Sequence, residues 1–300
     1  MPQPPTSNRI VAGVDGSDAA LRAVRSAVRE CARRSATLTL VHAFETPVRG
    51  YPEYIATVGD VRAALEKHGR EVLAEAEAVA RAISPGVAVE LRLREQGPAP
   101  ALIAESHHAA LVVVGSRGLG GFSGLVVGST AVALSRLAEC PVVVVRGEEP
   151  EDGRVVVGVD GSPASEQAIA FAFEAASRRH ASLAAVMSWT DVALDAAFGN
   201  ASSLTLDWAR LGEEHRELLA QRLAGWTERY PEVVVNRIVV HDRPVRALLR
   251  EAEHAQLLVV GSRGRGGFAG LLLGSTSQSL IYHAPCPIAV VRPVGEADDA

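Results

Sequence analysis

Lysine is almost missing from this chain. Lys67 is the only one among thirty basic residues, so a phosphate here must be met by arginine, hydroxyls or backbone amides, not by a P-loop lysine. Cysteine is as sparse. Cys31, Cys140 and Cys286 are an odd set with no Cys-x-x-Cys or Cys/His spacing, which argues against a disulfide framework or a zinc site and fits a cytoplasmic chain with reduced thiols. Long apolar runs are lacking too: LVVV at 111–114 is far short of the ~18–20 residues of a membrane span. The polar leader MPQPPTSNR has no apolar h-region, so secretion is not expected. An excess of positive charge is also absent, and a net charge of −5 argues against nucleic acid or anionic lipid as a partner.

What is present is ordinary globular material, 48% hydrophobic and 22% charged, and 300 residues suggest two domains. The chain repeats itself. IVAGVDGS (10–17) returns as VVVGVDGS (155–162), LVVVGSRGLGGFSGLVVGST (111–130) as LLVVGSRGRGGFAGLLLGST (257–276), and CPVVVVR (140–146) as CPIAVVR (286–292). The offset is 145 from Asp15 to Asp160 and 146 from Gly115 to Gly261. Two copies of one domain, 1–147 and 153–300, are thus expected, joined by the acidic Pro/Gly stretch GEEPEDG (147–153).

Each copy alternates short β-branched runs with long amphipathic ones. The first predicts strands near 9–15, 37–43, 87–93, 110–115 and 141–146, with helices near 17–34, 60–83, 98–108 and 128–139. The second predicts strands near 154–160, 182–188, 233–240, 256–261 and 287–292. Ala20, Val24, Ala27, Val28 and Cys31 fall on one helical face, Ser17 is placed to cap that helix, and Pro163 after Ser162 suits a first helical turn. Runs such as VVVV suit strands buried on both faces. Strict alternation makes the fold class α/β: two tandem doubly wound five-stranded parallel-sheet domains.

Ligands of such sheets bind beyond the carboxyl ends of the strands, where strand order reverses. Two ends stand out in each copy. The first strand closes on Gly13-Val14-Asp15 and Gly158-Val159-Asp160. The fourth runs into Gly-x2-Gly-x9-Gly-Ser-Thr: Gly115, Gly118, Gly128, Ser129 and Thr130, then Gly261, Gly264, Gly274, Ser275 and Thr276. Glycines permit close backbone approach, and the Gly-Ser-Thr sits where a helix begins, so its amides, hydroxyls and dipole form an anion site. The competing reading is a flexible loop before a capped helix. No lysine makes this a Walker motif, and Gly264-Arg-Gly266-Gly-Phe-Ala269 follows the fourth strand rather than the first, so it is no dinucleotide fingerprint. Arg117 and Arg263 lie inside the loop, as phosphate contacts or as exposed loop residues. His42 reads as core or pocket wall, His107-His108 as a solvated helix end, and Cys140 and Cys286 as small core residues.

Gly-Val-Asp-Gly-Ser after strand one with G-x2-G-x9-G-S/T after strand four resembles the ATP-binding branch of the universal stress protein family, over both halves, in the manner of its tandem actinobacterial members. The resemblance implies strand order 3-2-1-4-5 (the adenine nucleotide alpha hydrolase-like fold) and ATP, with or without magnesium, as ligand. It assigns Asp15 and Asp160, with backbone at Val14 and Val159, to the adenosine end, and the backbone of Ala43 or Ser188 to the adenine edge. Val114, Gly115 and Gly118, like Val260, Gly261 and Gly264, would meet ribose and phosphates. Gly128, Ser129 and Thr130, and Gly274, Ser275 and Thr276, would hold the phosphates. It also implies a regulator in stress or growth arrest rather than an enzyme, and pairing through strand-five edges, between halves or in a homodimer. A slow ATPase, an AMP or cyclic-AMP sensor and a structural module with vestigial pockets are the rival readings. All three tryptophans, Trp189, Trp208 and Trp226, fall in the second copy. Trp189, next to Ser188, is expected beside the bound base, and Ser277, where the first copy has Ala131, is expected to offer an extra hydroxyl.

Overall fold

In the computed structural model, residues 8–46, 55–118, 127–147, 150, 152–189, 208–265 and 272–293 are described. They fall into two compact units, Met1–Arg146 and Gly147–Ala300. The segments 119–126 and 266–271, which complete the two glycine-rich loops, lie outside the described residues, as do 148, 149 and 151 of the expected linker.

The first unit runs β1 (Arg9–Gly13), α1 (Asp18–Arg34), β2 (Thr37–Phe44), α2 (Ile55–Ile83), β3 (Val89–Glu95), α3 (Pro98–Ser106), β4 (Leu111–Gly115), α4 (Ser129–Leu137) and β5 (Val142–Val145). All its strand pairs are parallel, in the order β3-β2-β1-β4-β5. The second unit runs β6 (Arg154–Gly158), α5 (Pro163–Arg179), β7 (Leu183–Trp189), α6 (Trp208–Arg229), β8 (Val235–His241), α7 (Pro244–Ala252), β9 (Ala255–Gly261), α8 (Ser275–His283) and β10 (Ile288–Val291). It repeats that order and sense as β8-β7-β6-β9-β10.

The central strands are buried on both faces, Ile10, Val11 and Ala12 being fully covered as are Val155, Val156 and Val157. That explains their unbroken apolar runs. The expected face of α1 is buried, and its Ser17 cap accepts from Ala20 N at 3.2 Å, as Ser162 accepts from Ser165 N on α5. Several boundaries shift, and the first strands of the two units end at Gly13 and Gly158, two residues before the patterns suggest. The third strands begin at Val89 and Val235, two residues later than the patterns suggest, because β3 and β8 are edge strands with half-exposed, polar-interrupted sequences. Helix α2 begins at Ile55, before the expected 60. No described helix is long and apolar enough to cross a membrane.

Candidate functional site

Strands β1 and β4 lie side by side, Ile10 opposite Leu111 and Ala12 opposite Val113, while the chain leaves β1 for β2 on the other flank. This is the switch point of the sheet. A cavity of about 330 Å³ opens at its carboxyl end in the first unit, within the range of small-ligand pockets. Its wall takes Gly13, Val14 and Asp15 from the end of β1, Ala43 from β2, Val114 and Gly115 from β4, Arg117 and Gly118 from the loop, and Gly128, Ser129 and Thr130 from the start of α4. Every first-copy residue that the sequence offered for ligand contact therefore meets at one cavity. Ala20, Val41, Pro98, Leu102, Val127 and Ala131 complete the wall. Pro98 and Leu102 stand four apart on α3, an apolar helical pair whose place on the cavity depends on how α3 packs.

The glycines of the motif have three different reasons. A Cβ at Gly115 would stand 2.7 Å from the backbone of Ala19, so this glycine lets α1 pack on the end of β4. A Cβ at Gly118 would collide with Asp15 Oδ2, so this one lets the loop lie against the carboxylate. Gly128 is unlike both. Its nearest atom to a Cβ would be Ser116 O at 3.7 Å, and its φ of −71° and ψ of 148° suit any residue. Neither backbone strain nor packing among the described residues accounts for glycine there.

Helix α4 has no side chain capping its N-terminus, in contrast to α1. Gly128 N donates to Ser116 O at 2.8 Å, which ties the helix start to the end of β4. The amides that follow open the helix with its positive dipole end at the cavity wall, a ready anion site. Asp15, on the same cavity, is fixed by its own turn. Gly16 takes φ +87°, and Ser17 donates to Asp15 Oδ1 from N at 3.0 Å and from Oγ at 2.7 Å. An acid and a helix start thus line the same cavity.

The second unit repeats this frame. Ser162 donates to Asp160 Oδ1 from N at 3.0 Å and from Oγ at 2.7 Å, and Gly161 takes φ +78°. Val159 N donates to Val186 O at 2.9 Å, as Val14 N does to Val41 O. Gly158 and Ser188 lie at the ends of β6 and β7, and Val260 and Gly261 end β9. A Cβ at Gly261 would stand 2.8 Å from Ala164 C, and one at Gly264 would press on Asp160 Oδ2. Gly274 caps α8, ahead of Ser275 and Thr276, with room for a Cβ and no capping side chain, while Arg263 sits half-buried in the loop.

Two expectations are corrected. The extra hydroxyl of Ser277 is buried and donates to Gly261 O at 2.6 Å, so it ties α8 to β9 and offers nothing to a ligand. Trp189 stacks on His241 at 4.3 Å and on His215 of α6 at 5.5 Å. Side chains alternate along a strand, so the neighbour of Ser188 faces the α6 side of the sheet and not the ligand face. Trp226 stacks on Phe173 at 6.1 Å, as a helix-face residue should.

Several other side chains settle into structural roles. His42 is buried beneath the site with Nδ1 2.9 Å from Val14 O. A carbonyl only accepts, so Nδ1 carries the proton, and burial pulls the imidazole below its ordinary pKa, with the Val14 bond opposing and His68 reinforcing. His107 pairs with Glu139 at 2.7 Å on the surface. Cys31 and Cys140 are pushed up to about 12 by burial and are inert as nucleophiles. Sequence reasoning missed Glu105 of α3. It is buried and meets Arg9 at 3.1 Å, Arg92 at 2.9 Å and Arg94 at 2.5 Å, which pins α3, and with it Pro98 and Leu102, to β1 and β3. Burial raises its pKa, but the Arg94 and Arg92 bonds outweigh that and hold it below the usual range. Its partners lie on distant strands, which no local pattern announces.

Comparison with known proteins agrees with this frame. The family model described as "Universal stress protein family" matches residues 6–146 and again 153–292. A universal stress protein of Mycolicibacterium smegmatis is 42% identical over 299 residues, covering 98% of this chain and 100% of its own. One of Mycobacterium tuberculosis is 41% identical over 293 residues, covering 94% and 96%. The crystal structure of a universal stress protein from Archaeoglobus fulgidus shares the fold, with a TM-score of 0.67 at 18% identity, covering 97% of this chain and 98% of that one. With a match in each half and relatives aligned nearly end to end, this chain belongs to the universal stress protein family, in tandem form.

Proposed function

We propose that each half binds one ATP, with or without magnesium, at the carboxyl ends of its first and fourth strands, and that the chain is a cytoplasmic nucleotide-dependent regulator and not an enzyme. One observation carries the reading. Gly128 and Gly274 stand at uncapped helix starts where the described residues leave room for a Cβ. A ligand that needs the backbone bare is the physical reason to keep glycine there, and phosphates are the anions that helix starts hold. Asp15 and Asp160, braced by Ser17 and Ser162, would take the adenosine end. Arg117, which lines the first cavity, and Arg263 would steady the phosphates. For fast hydrolysis a base for water and a metal-holding cluster are wanted, and the reading asks for neither.

Mass spectrometry of the small molecule released by acid from the purified chain tests this. ATP is the expected species, at up to two per chain. ADP accumulating on incubation would turn the reading towards a slow ATPase, AMP or cyclic AMP towards a sensor, and no retained or added nucleotide bound would overturn it.

A further inference from the structure

The two sites share a frame and differ in the charges around it. Asp18 is exposed in the first turn of α1, three residues beyond Asp15, and its counterpart in α5 is the uncharged Pro163. Glu45 rests against the start of α3, where a Cβ at Gly97 would stand 2.8 Å from its Oε1. The residue in the place of Gly97 is Arg243, the N-cap of α7. In the second loop Arg265 occupies the position of Leu119. Its N–H donates to Asp160 Oδ2 at 3.1 Å, and its guanidinium lies on Gly161, with Nη2 2.6 Å from where a Cβ would be. The Ser162 hydroxyl lies 3.3 Å from Arg263 O, which joins the same loop to the same turn. Other described carboxylates nearby do not undo the contrast, because Glu95 is paired with Arg62 at 2.8 Å, Asp242 with Arg246 at 3.5 Å and Glu166, in the first turn of α5, with Arg222 at 3.0 Å. Among the described residues, two carboxylates thus flank the first frame where two guanidiniums flank the second.

We propose that the halves differ in nucleotide charge selectivity: the second site favours the triphosphate over the monophosphate, whereas the first discriminates much less. This rests on the nucleotide reading above and deepens it. Each added phosphate brings negative charge that Arg265 and Arg243 attract and that Asp18 and Glu45 repel. These groups are exposed, so the contrast is electrostatic at moderate range and is screened over ~10 Å at 0.1 M salt.

The experiment measures ATP and AMP binding by calorimetry in magnesium-free buffer at about 20 and about 300 mM salt. It uses full chains carrying Gly128→Glu, which leaves the second site, or Gly274→Glu, which leaves the first. The unblocked chain, read as two phases, stands in should either variant fail to fold. The expected ratio of AMP to ATP dissociation constants is about tenfold larger at the second site at low salt and shrinks at high salt. Arg265→Leu should remove most of the excess, and Asp18→Asn should raise the ratio at the first site. Equal ratios at both sites, or an excess indifferent to Arg265→Leu, would overturn the inference while leaving the nucleotide reading intact. No binding of either nucleotide to any chain would overturn both.

Discussion

Where the first crevice is lined by Ala20, Ala43 and Ala131, the second half carries Ser165, Ser188 and Ser277 at the same places. Read as composition, the second site is simply more polar. The hydrogen bonds say otherwise for two of the three. Ser165 Oγ accepts from Asp160 N at 3.1 Å and Ser277 Oγ donates to Gly261 O at 2.6 Å, so both hydroxyls brace the segments that carry the site. The first half obtains its bracing elsewhere, from Glu105 and its three arginines, where the second half has Glu251 with Arg154 at 2.8 Å and Arg250 at 3.4 Å. Duplication has kept the backbone frame and moved the supports.

The sharpest way to break that comparison is to remove the two acids. Glu105→Ala leaves three guanidiniums facing one another and should cost about 2–3 kcal/mol, the partial exposure of Arg92 and Arg94 moderating a larger buried-pair penalty. Glu251→Ala should cost about 1 kcal/mol. Urea unfolding of the two variants reads the difference, and equal losses would mean that α3 and α7 are held alike.

Next in size is the division of labour among the glycines. Gly115→Ala forces a methyl into the backbone of Ala19 and should destabilise by about 1–3 kcal/mol. Gly128→Ala should change stability by less than about 1 kcal/mol, since the site has room and ordinary φ and ψ, yet weaken nucleotide binding at least about tenfold, a loss of ~1.4 kcal/mol. Thermal melts beside binding isotherms separate the two effects. A Gly128→Ala chain that binds normally would remove the observation on which the functional reading leans.

The smallest contrast is one of pH. His42 is held neutral by burial and its counterpart is Met187. Its folded pKa lies below the ordinary 6.5, so protons favour the unfolded chain. The stability it contributes is present above 6.5 and is lost as pH falls through the lowered value. Glu105, also lowered, adds a loss of the same sign only below its ordinary 4.5. His42→Met should flatten the decline in stability below neutrality while leaving the more acidic limb in place. An unchanged pH profile would contradict the assignment.

Much of this was legible because repetition made it so. Two copies of Gly-Val-Asp-Gly-Ser and of the long glycine motif pointed to the first cavity and to the frame that the second unit repeats, and the apolar face of α1 announced its own burial. The spacing could not separate a glycine kept for a helix, Gly115, from one kept for a ligand, Gly128, because both readings need only that a side chain be absent. The side of the sheet on which Trp189 lies was within reach, since period-two alternation opposes it to Ser188. Nearness in sequence to an expected contact outweighed that rule. The Glu105 cluster was out of reach, because Arg9, Arg92 and Arg94 come together only once β1 and β3 have found their places in the sheet.

Titration calorimetry of ATP into the intact chain, beside Gly128→Glu and Gly274→Glu, tests two working sites on one repeated frame most directly. The account predicts two nucleotides per intact chain and one per variant, with each variant retaining the affinity of its unaltered half. A single site in the intact chain, abolished by one variant and indifferent to the other, would contradict it.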